Sequence, residues 1–278
     1  MNEIVRDLVF DIGMHKGEDT DFYLTKGYRV IGFEANPRLA DECRSRFRDA
    51  IDAGRLILVE GAIGSADLGE TIDFYIDENS VWGTVHEAWA KRNEMLGSSN
   101  ELIKVNRVDM ADAYRRFGVP FYMKVDIEGQ DKYILDSMRQ LDIVPQYMSV
   151  ESEKVVFSDL QEEIENLRSL GYKKFKAVQQ STIPGTSIST KTIDGRSVNY
   201  VFQDCASGPF GDDLAMAWMS YDEIVERYKS IFRLYQVFGD YGFLTKIGPA
   251  GKIPRIAYKV LTGYRGELPG WYDTHASL

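Results

Sequence analysis

The amino-acid sequence predicts an α/β fold built on a doubly wound, mostly parallel sheet. Short apolar runs alternate with helical patterns in the first part of the chain, and the joints between them are short. A glycine or an acidic residue ends each of the first apolar runs. The composition is that of a globular protein, since 44% of the 278 residues are hydrophobic and 27% are charged. This length fits one elaborated domain as well as two small ones.

Three strands and two helices are predicted near the start of the chain. The strands are residues 8–12, 28–33 and 56–60. The first helix spans about residues 18–26, and Pro37 takes the first position of the second helix, which stops at Gly54. Strands and helices in this order form a parallel sheet with right-handed crossovers.

The later elements are less regular. Further strands are predicted at residues 71–76, 103–108, 121–127 and 147–151. Residues 172–178 and 199–203 are expected to pair as the last strands, with an antiparallel strand closing the sheet. Residues 78–100 are expected to form an irregular, cap-like insertion. We expect one domain over residues 1–238 and a C-terminal extension, residues 239–278, packed on it.

Charge and cysteine content exclude several classes of protein. The formal net charge is −10, which argues against binding nucleic acid by broad phosphate neutralisation. Cys43 and Cys205 make neither a disulfide framework nor a zinc-like spacing, so a reduced, cytoplasmic setting is expected. Scattered charges near the first residue argue against a signal peptide, and no run reaches the ~20 apolar residues of a membrane span.

The loop after the first strand has the character of a ligand-binding loop. It reads DIGMHKGEDT from Asp11 to Thr20, and Glu34 ends the next strand. In dinucleotide-binding folds an acid at that place holds a ribose diol. His15 replaces the glycine that would admit a pyrophosphate, and acidic residues at the helix start, Glu18 among them, would repel it. The pattern favours S-adenosylmethionine, which carries an ammonium and a sulfonium. The alternative is that these acidic residues only interact favourably with the helix dipole.

Three blocks of the sequence resemble the signature blocks of the FkbM-like methyltransferases. They are FDIGMHKGEDT at residues 10–20, GFEANP at residues 32–37 and MKVDIEG at residues 123–129. This family consists of class I S-adenosylmethionine-dependent enzymes, mostly O-methyltransferases of sugars, glycans or polyketide hydroxyls. The resemblance covers roughly residues 10–151 and implies a Rossmann-like class I methyltransferase fold. It implies O-methylation of a hydroxyl, with a saccharide or glycan as the expected acceptor.

The resemblance also implies a cofactor site at the carboxyl ends of the first strands. The methionine part would lie near Asp11, the ribose hydroxyls on Glu34, and the adenine beside residues 61–63. The cofactor-binding residues expected on this basis are Asp11, Gly13, His15, Gly17, Glu18, Thr20, Glu34, Asn36, Gly61, Ala62, Ile63 and Asp126.

Methylation of an alcohol calls for a base or a metal, because an alcohol is a weak nucleophile. Asp126 is the first candidate for the base; the alternative is that it only orders the cofactor's ammonium or caps the next helix. Glu128 is the second candidate, unless it pairs with Lys124. His86, in the insertion, is the third, although a surface histidine is the commoner case. No spacing demands a divalent ion, and the metal stays undecided.

Two functions of other classes stay open. One is an NAD-dependent Rossmann oxidoreductase, and the other is a non-catalytic cofactor-binding protein of the same fold. Trp82 and Trp89 in the insertion either stack on a sugar or pack in the core. The sequence assigns no role to residues 207–213 and 271–276, and it does not predict the oligomeric state.

Overall fold

The computed structural model describes residues 3–79, 83–95, 97–127, 131–153, 156–238, 252–263, 268 and 270–278. The chain divides into two compact units. The first is Met1–Met148 with Ile188–Tyr200, and the second is Ser149–Ser187 with Val201–Leu278.

Strands and helices alternate through most of the chain. Up to the seventh strand they are β1 (Ile4–Ile12), α1 (Glu18–Thr25), β2 (Arg29–Glu34), α2 (Pro37–Arg46), α3 (Arg48–Asp52), β3 (Leu56–Glu60), β4 (Ala62–Ile63), β5 (Thr71–Asp77), α4 (Glu87–Met95), β6 (Asn100–Val108), α5 (Met110–Phe117) and β7 (Val119–Val125). The later ones are α6 (Asp131–Met138), β8 (Tyr147–Glu151), α7 (Phe157–Ser169), β9 (Lys174–Gln179), β10 (Ser187–Lys191), β11 (Ser197–Val201), α8 (Tyr221–Phe238), α9 (Lys252–Thr262) and β12 (Tyr272–Ser277).

Four parallel strands form the sheet of the first unit, in the order β3-β2-β1-β7. Ile12, at the end of β1, lies opposite Phe33 on one side and Val125 on the other. The carboxyl ends of all four strands therefore reach the same edge. The last five residues of β1 are buried, as expected for a parallel strand that is covered on both faces. The predicted α/β class and parallel sheet are confirmed.

The helices begin and end at the residues that the sequence indicates. Asn36 caps α2 by accepting a hydrogen bond from the backbone N–H of Arg38 at 3.0 Å, and Pro37 is the first helical residue. Gly27, with a φ of 92°, follows the end of α1. Within the described ranges, no helix combines the length and the apolar character needed to cross a bilayer.

The predicted insertion is partly regular. β5 and β6 pair antiparallel, as Phe74 opposite Ile103 illustrates, and β4 adds a parallel strand to β6. Residues 87–95 form the helix α4, which the sequence did not predict. Thr84 pairs with Tyr75 through two backbone hydrogen bonds of 2.8 and 3.1 Å. Trp82 lies outside the described residues.

The second unit holds β8, β12 and β9 side by side, and β12 runs antiparallel to β9. A mostly parallel sheet with one antiparallel strand is confirmed, but the predicted pairing of residues 172–178 with 199–203 is wrong. β9 pairs with β12, and β11 pairs with β10 instead. The physical reason is burial: all six residues of β12 are buried, whereas β11 is mostly exposed.

Buried polar groups of β12 find partners inside the second unit. The hydroxyls of Thr274, Ser152 and Tyr228 lie 2.7–2.8 Å from one another. The predicted extension, residues 239–278, therefore contributes a strand to the sheet. Residues 239–251 lie outside the described part of the chain, so the boundary at residue 238 stays a prediction.

The segment 207–213 also has a structural partner. Lys176 of β9 is buried, and its ammonium donates hydrogen bonds to the carbonyls of Gly211 at 2.9 Å and Leu214 at 3.0 Å. The same ammonium lies 3.9 Å from the centre of the Trp218 ring. Two carbonyl oxygens and an aromatic ring therefore surround this buried ammonium.

Gly13→Ala should destabilise the protein more than Gly54→Ala. Both glycines have a left-handed φ, 79° and 68°, which costs an alanine about 1–2 kcal/mol. A Cβ at Gly13 would lie 1.9 Å from the carbonyl oxygen of Asp126, whereas a Cβ at Gly54 would meet no described residue within 4 Å. Overpacking should add about 1–3 kcal/mol at Gly13 alone. Urea unfolding of the two variants measures this difference, and equal losses would contradict the close approach of β1 and β7.

Candidate functional site

A cleft opens at the carboxyl edge of the first unit's sheet. It holds about 800 Å³, part of it open to solvent, and small-molecule sites span ~300–1,000 Å³. Eight of the predicted site residues line it: Gly13, His15, Glu34, Asn36, Gly61, Ala62, Ile63 and Asp126. Apolar side chains, Phe33, Leu39 and Phe74 among them, form part of its wall. One end of four strands thus brings together residues that are far apart in sequence.

Glu34 is the carboxylate that ends β2 inside the cleft. Its Oε2 accepts the backbone N–H of His15 and its Oε1 accepts that of Asn36, both at 2.8 Å. Burial raises the pKa of Glu34 to about 7, although the two N–H groups favour the ionised form. Each carboxylate oxygen can accept a second hydrogen bond. Glu34 is therefore a fixed acceptor with capacity left for a ligand.

The backbone N–H groups of the loop after β1 donate hydrogen bonds to acceptors within the protein. The N–H groups of Gly13 and Met14 both donate to the carbonyl of Phe33, at 3.1 and 2.9 Å, and the His15 N–H is held by Glu34. His15 has a φ of 53°, a conformation that glycine would adopt more easily.

The same holds where the loop enters α1. The N–H of Lys16 donates to Glu18 Oε2 at 3.2 Å, and that of Gly17 donates to the Met14 carbonyl at 2.9 Å. The ring of His15 lies 3.1 Å from Glu18 Oε1 through its Nδ1. All five backbone N–H groups of residues 13–17 are therefore engaged within the protein, and two acidic residues begin the helix.

A buried lysine connects the elements around the loop. The ammonium of Lys124 lies 3.2 Å from a carboxylate oxygen of Asp126, 3.5 Å from one of Asp19 and 3.8 Å from one of Asp11. It also donates to the carbonyl of Gly13 at 3.3 Å. Asp11, Asp19 and Lys124 are buried, whereas the Asp126 side chain is 35% exposed and reaches the cleft. The sequence indicated Lys124 only as a partner of Glu128.

Four of the predicted cofactor residues lie outside the cleft lining. Among them, Asp11 is fully buried, and its Oδ2 accepts a hydrogen bond from the Thr20 hydroxyl at 2.6 Å. Its Oδ1 has no hydrogen-bond partner among the described residues. Burial raises the pKa of Asp11 above its usual range, against the attraction of Lys124. Gly17 and Glu18 shape the loop, so a direct role of these four residues in binding stays a prediction.

The three catalytic candidates differ in position. Asp126 lines the cleft, and Glu128 lies outside the described residues. His86 is half-buried, its N–H donates to the Thr84 hydroxyl at 3.1 Å, and its ring centre is 6.2 Å from that of Trp89. Among the described lining residues, the insertion contributes residues 83–85 but not His86. The roles of all three stay predictions.

The sequence did not predict the apolar lining of the cleft or the central position of Lys124. Val85 enters the cleft from the insertion, where no periodicity reveals which side chains face inward. Lys124 stands two residues before Asp126 on one strand, and that spacing puts both side chains on one face. In the described part of the chain, no group of three or more His, Cys, Asp or Glu residues is arranged to hold a metal ion.

Comparisons with known proteins give distant structural likenesses. A precorrin-6y C5,15-methyltransferase from Geobacter metallireducens is 13% identical, with a TM-score of 0.36 over 72% of this chain and 78% of that one. An O-methyltransferase from Bacillus cereus in complex with SAH is 13% identical, with a TM-score of 0.33 over 69% and 71%. The O-methyltransferase TomG from Streptomyces achromogenes in complex with SAM is 14% identical, with a TM-score of 0.32 over 69% and 70%.

Sequence comparisons give no further guidance. No protein-family model matches the chain, and the search of curated proteins found no match. The structural likenesses are too distant to assign a reaction, so the function has to be inferred from the cleft itself.

Glu34→Gln should change how the stability of the protein depends on pH. The folded protein keeps the Glu34 proton up to about pH 7, whereas the unfolded chain releases it near the ordinary value of 4.5. Between these pH values the folded state binds more protons than the unfolded chain. The free energy of unfolding therefore falls as the pH rises. We expect the wild type to lose about 1–3 kcal/mol relative to Glu34→Gln over this window.

Urea unfolding at a series of pH values measures this difference. Glu60→Gln is the matched control, because Glu60 lies opposite Glu34 in the β2–β3 pair and is half-exposed. Parallel pH curves for wild type and Glu34→Gln would show that Glu34 is ionised in the folded protein well below pH 7.

Proposed function

We propose that this protein is an S-adenosylmethionine-dependent O-methyltransferase of the FkbM-like type, with a hydroxyl on a saccharide or glycan as its acceptor. The observation that carries the proposal is the cleft at the carboxyl edge, where eight of the predicted cofactor-binding residues, far apart in the chain, converge. Ligands of open α/β sheets collect at this edge.

The residues of the cleft fit this cofactor by their chemistry. Glu34 offers a fixed carboxylate for the ribose hydroxyls, and Asp126 brings a second carboxylate into the same cleft. Leu39, Ile63 and Phe74 offer apolar surface for a purine ring. When bound, S-adenosylmethionine supplies a methyl group activated by its sulfonium.

The loop argues against the dinucleotide alternative. In dinucleotide-binding folds the glycine-rich loop and the helix start together bind the pyrophosphate through backbone N–H groups. Here the N–H groups of loop residues 13–17 are already donated to protein acceptors. Glu18 and Asp19 then place two acidic side chains in the first turn of α1. This arrangement favours a cofactor without phosphate over NAD.

Asp126 is the proposed base or acceptor-orienting group. Its carboxylate is the described acidic group that both reaches the cleft and touches Lys124. The ion pair with the Lys124 ammonium at 3.2 Å limits how the carboxylate can turn. Asp126 would hold the acceptor hydroxyl and take its proton, and much of the acceleration can come from such positioning and from excluding water.

Residues 83–85 are the proposed start of the acceptor site. They belong to the predicted insertion and line the cleft, and Thr84 is buried there with its hydroxyl accepting the His86 N–H. The acceptor is proposed to be a saccharide or other hydroxyl-bearing molecule rather than a nucleic acid, because the formal net charge is −10.

Glu34→Ala should weaken binding of S-adenosylhomocysteine. Above the Glu34 pKa of about 7, the variant removes a charged acceptor for two hydroxyls, which is worth about 1.5–3 kcal/mol, or about 10- to 150-fold in Kd. Isothermal titration calorimetry measures the loss, with Glu60→Ala as the control at the neighbouring strand end. Unchanged affinity in a folded Glu34→Ala variant would remove the basis of the cofactor assignment.

Asp126→Asn should separate chemistry from binding. If Asp126 takes the proton, turnover should fall by ~10²-fold or more while cofactor affinity changes little. The assay follows methyl-labelled cofactor into fractionated glycans and small metabolites, with His86→Ala tested in parallel. An inactive His86→Ala beside an active Asp126→Asn would reverse the assignment of the base.

The non-catalytic alternative makes a different prediction in the same assay. A cofactor-binding protein without activity would bind S-adenosylhomocysteine through Glu34 and transfer no label to any fraction. Binding with no transfer would therefore overturn the enzymatic part of the proposal and keep the cofactor part.

A further inference from the structure

The helix α9 exposes an apolar face. The side chains of Ile256, Val260 and Leu261 are 63%, 75% and 85% exposed, and Ala257 is exposed beside them. These four residues are spaced i, i+1, i+4 and i+5, so they lie together on one side of the helix. An exposed helix surface is normally polar, so we expect this apolar face to bind a partner.

The other side of α9 is already packed. The Tyr258 ring lies 5.1 Å from the ring of Phe238, within a small cluster that includes Leu268. The Arg255 guanidinium donates a hydrogen bond to the carbonyl of Phe238 at 2.6 Å. The helix is therefore held in the second unit by one face, and its apolar character continues on the opposite face.

The sequence of α9 is unusually basic for this chain. The helix itself, Lys252–Thr262, contains two lysines, one arginine and no acidic residue, although the chain as a whole carries a net charge of −10. Two of these three, Arg255 and Lys259, lie within α9 and are half-buried. Apolar exposure and positive charge thus coincide in one short segment.

We propose that α9 docks this protein on an anionic lipid surface. Apolar side chains on one face of a helix insert at the boundary between headgroups and acyl chains, and nearby lysines and arginines interact with anionic headgroups. A second copy of the chain fits less well, because a symmetric contact would bring the same basic segments together. This proposal does not depend on the methyltransferase assignment, since none of these residues lines the cleft.

Vesicle sedimentation of the full chain tests the proposal. We expect the protein to sediment with vesicles of phosphatidylcholine that contain phosphatidylglycerol as a third of the lipid. Binding should weaken at high salt and be much lower on phosphatidylcholine alone. Val260→Ser/Leu261→Ser should lower the partition coefficient by ~10-fold or more, and Lys259→Gln by ~5-fold.

A matched control variant tests whether the loss of vesicle binding is specific to the apolar face of α9. Leu102→Ser/Val201→Ser removes side chains that are 54% and 61% exposed elsewhere and should leave vesicle binding unchanged. Because all four side chains are exposed, each double variant should keep the wild-type melting temperature.

Three results would overturn the proposal. The first is equal binding to neutral and anionic vesicles, and the second is no loss in Val260→Ser/Leu261→Ser. The third is self-association of the wild type that this variant abolishes, without any vesicle binding, which would assign the face to a second copy.

Discussion

The buried ammonium of Lys124 is the interaction on which the site depends. It joins three carboxylates from the end of β1, the start of α1 and the end of β7, and it holds the carbonyl of Gly13 in the loop between the first two. Removing one partner of a buried ion pair typically costs about 3–5 kcal/mol, because the remaining charge is left uncompensated. Lys124 therefore fixes the relative position of the elements that form the cleft.

The hydrogen bonds within the loop bear on the kind of ligand that the cleft can bind. With the loop N–H groups committed to the protein, the cleft presents acceptors in Glu34 and Asp126 and few free backbone donors from that loop. Such a site favours ligands that bring hydroxyl and ammonium donors, and it disfavours phosphate. The proposed cofactor follows from this balance of donors and acceptors.

The sequence predicted the parallel strands well and the last strand poorly, for one physical reason. β2 and the second half of β1 are buried on both faces, so they read as continuous apolar runs. β12 is equally buried but reads YDTHAS, because Ser152 and Tyr228, far away in the chain, satisfy its Thr274 hydroxyl. Glu34 could be predicted from its place at a strand end, whereas the Lys124 cluster depends on contacts between residues more than a hundred positions apart.

The most direct test of this account is a crystal structure of the protein with S-adenosylhomocysteine. We expect the nucleoside in the cleft, with its ribose hydroxyls on the Glu34 carboxylate, its adenine beside residues 61–63 and its amino-acid end towards Asp126. A ligand bound outside the cleft, or a ribose that makes no contact with Glu34, would contradict the assignment of this site.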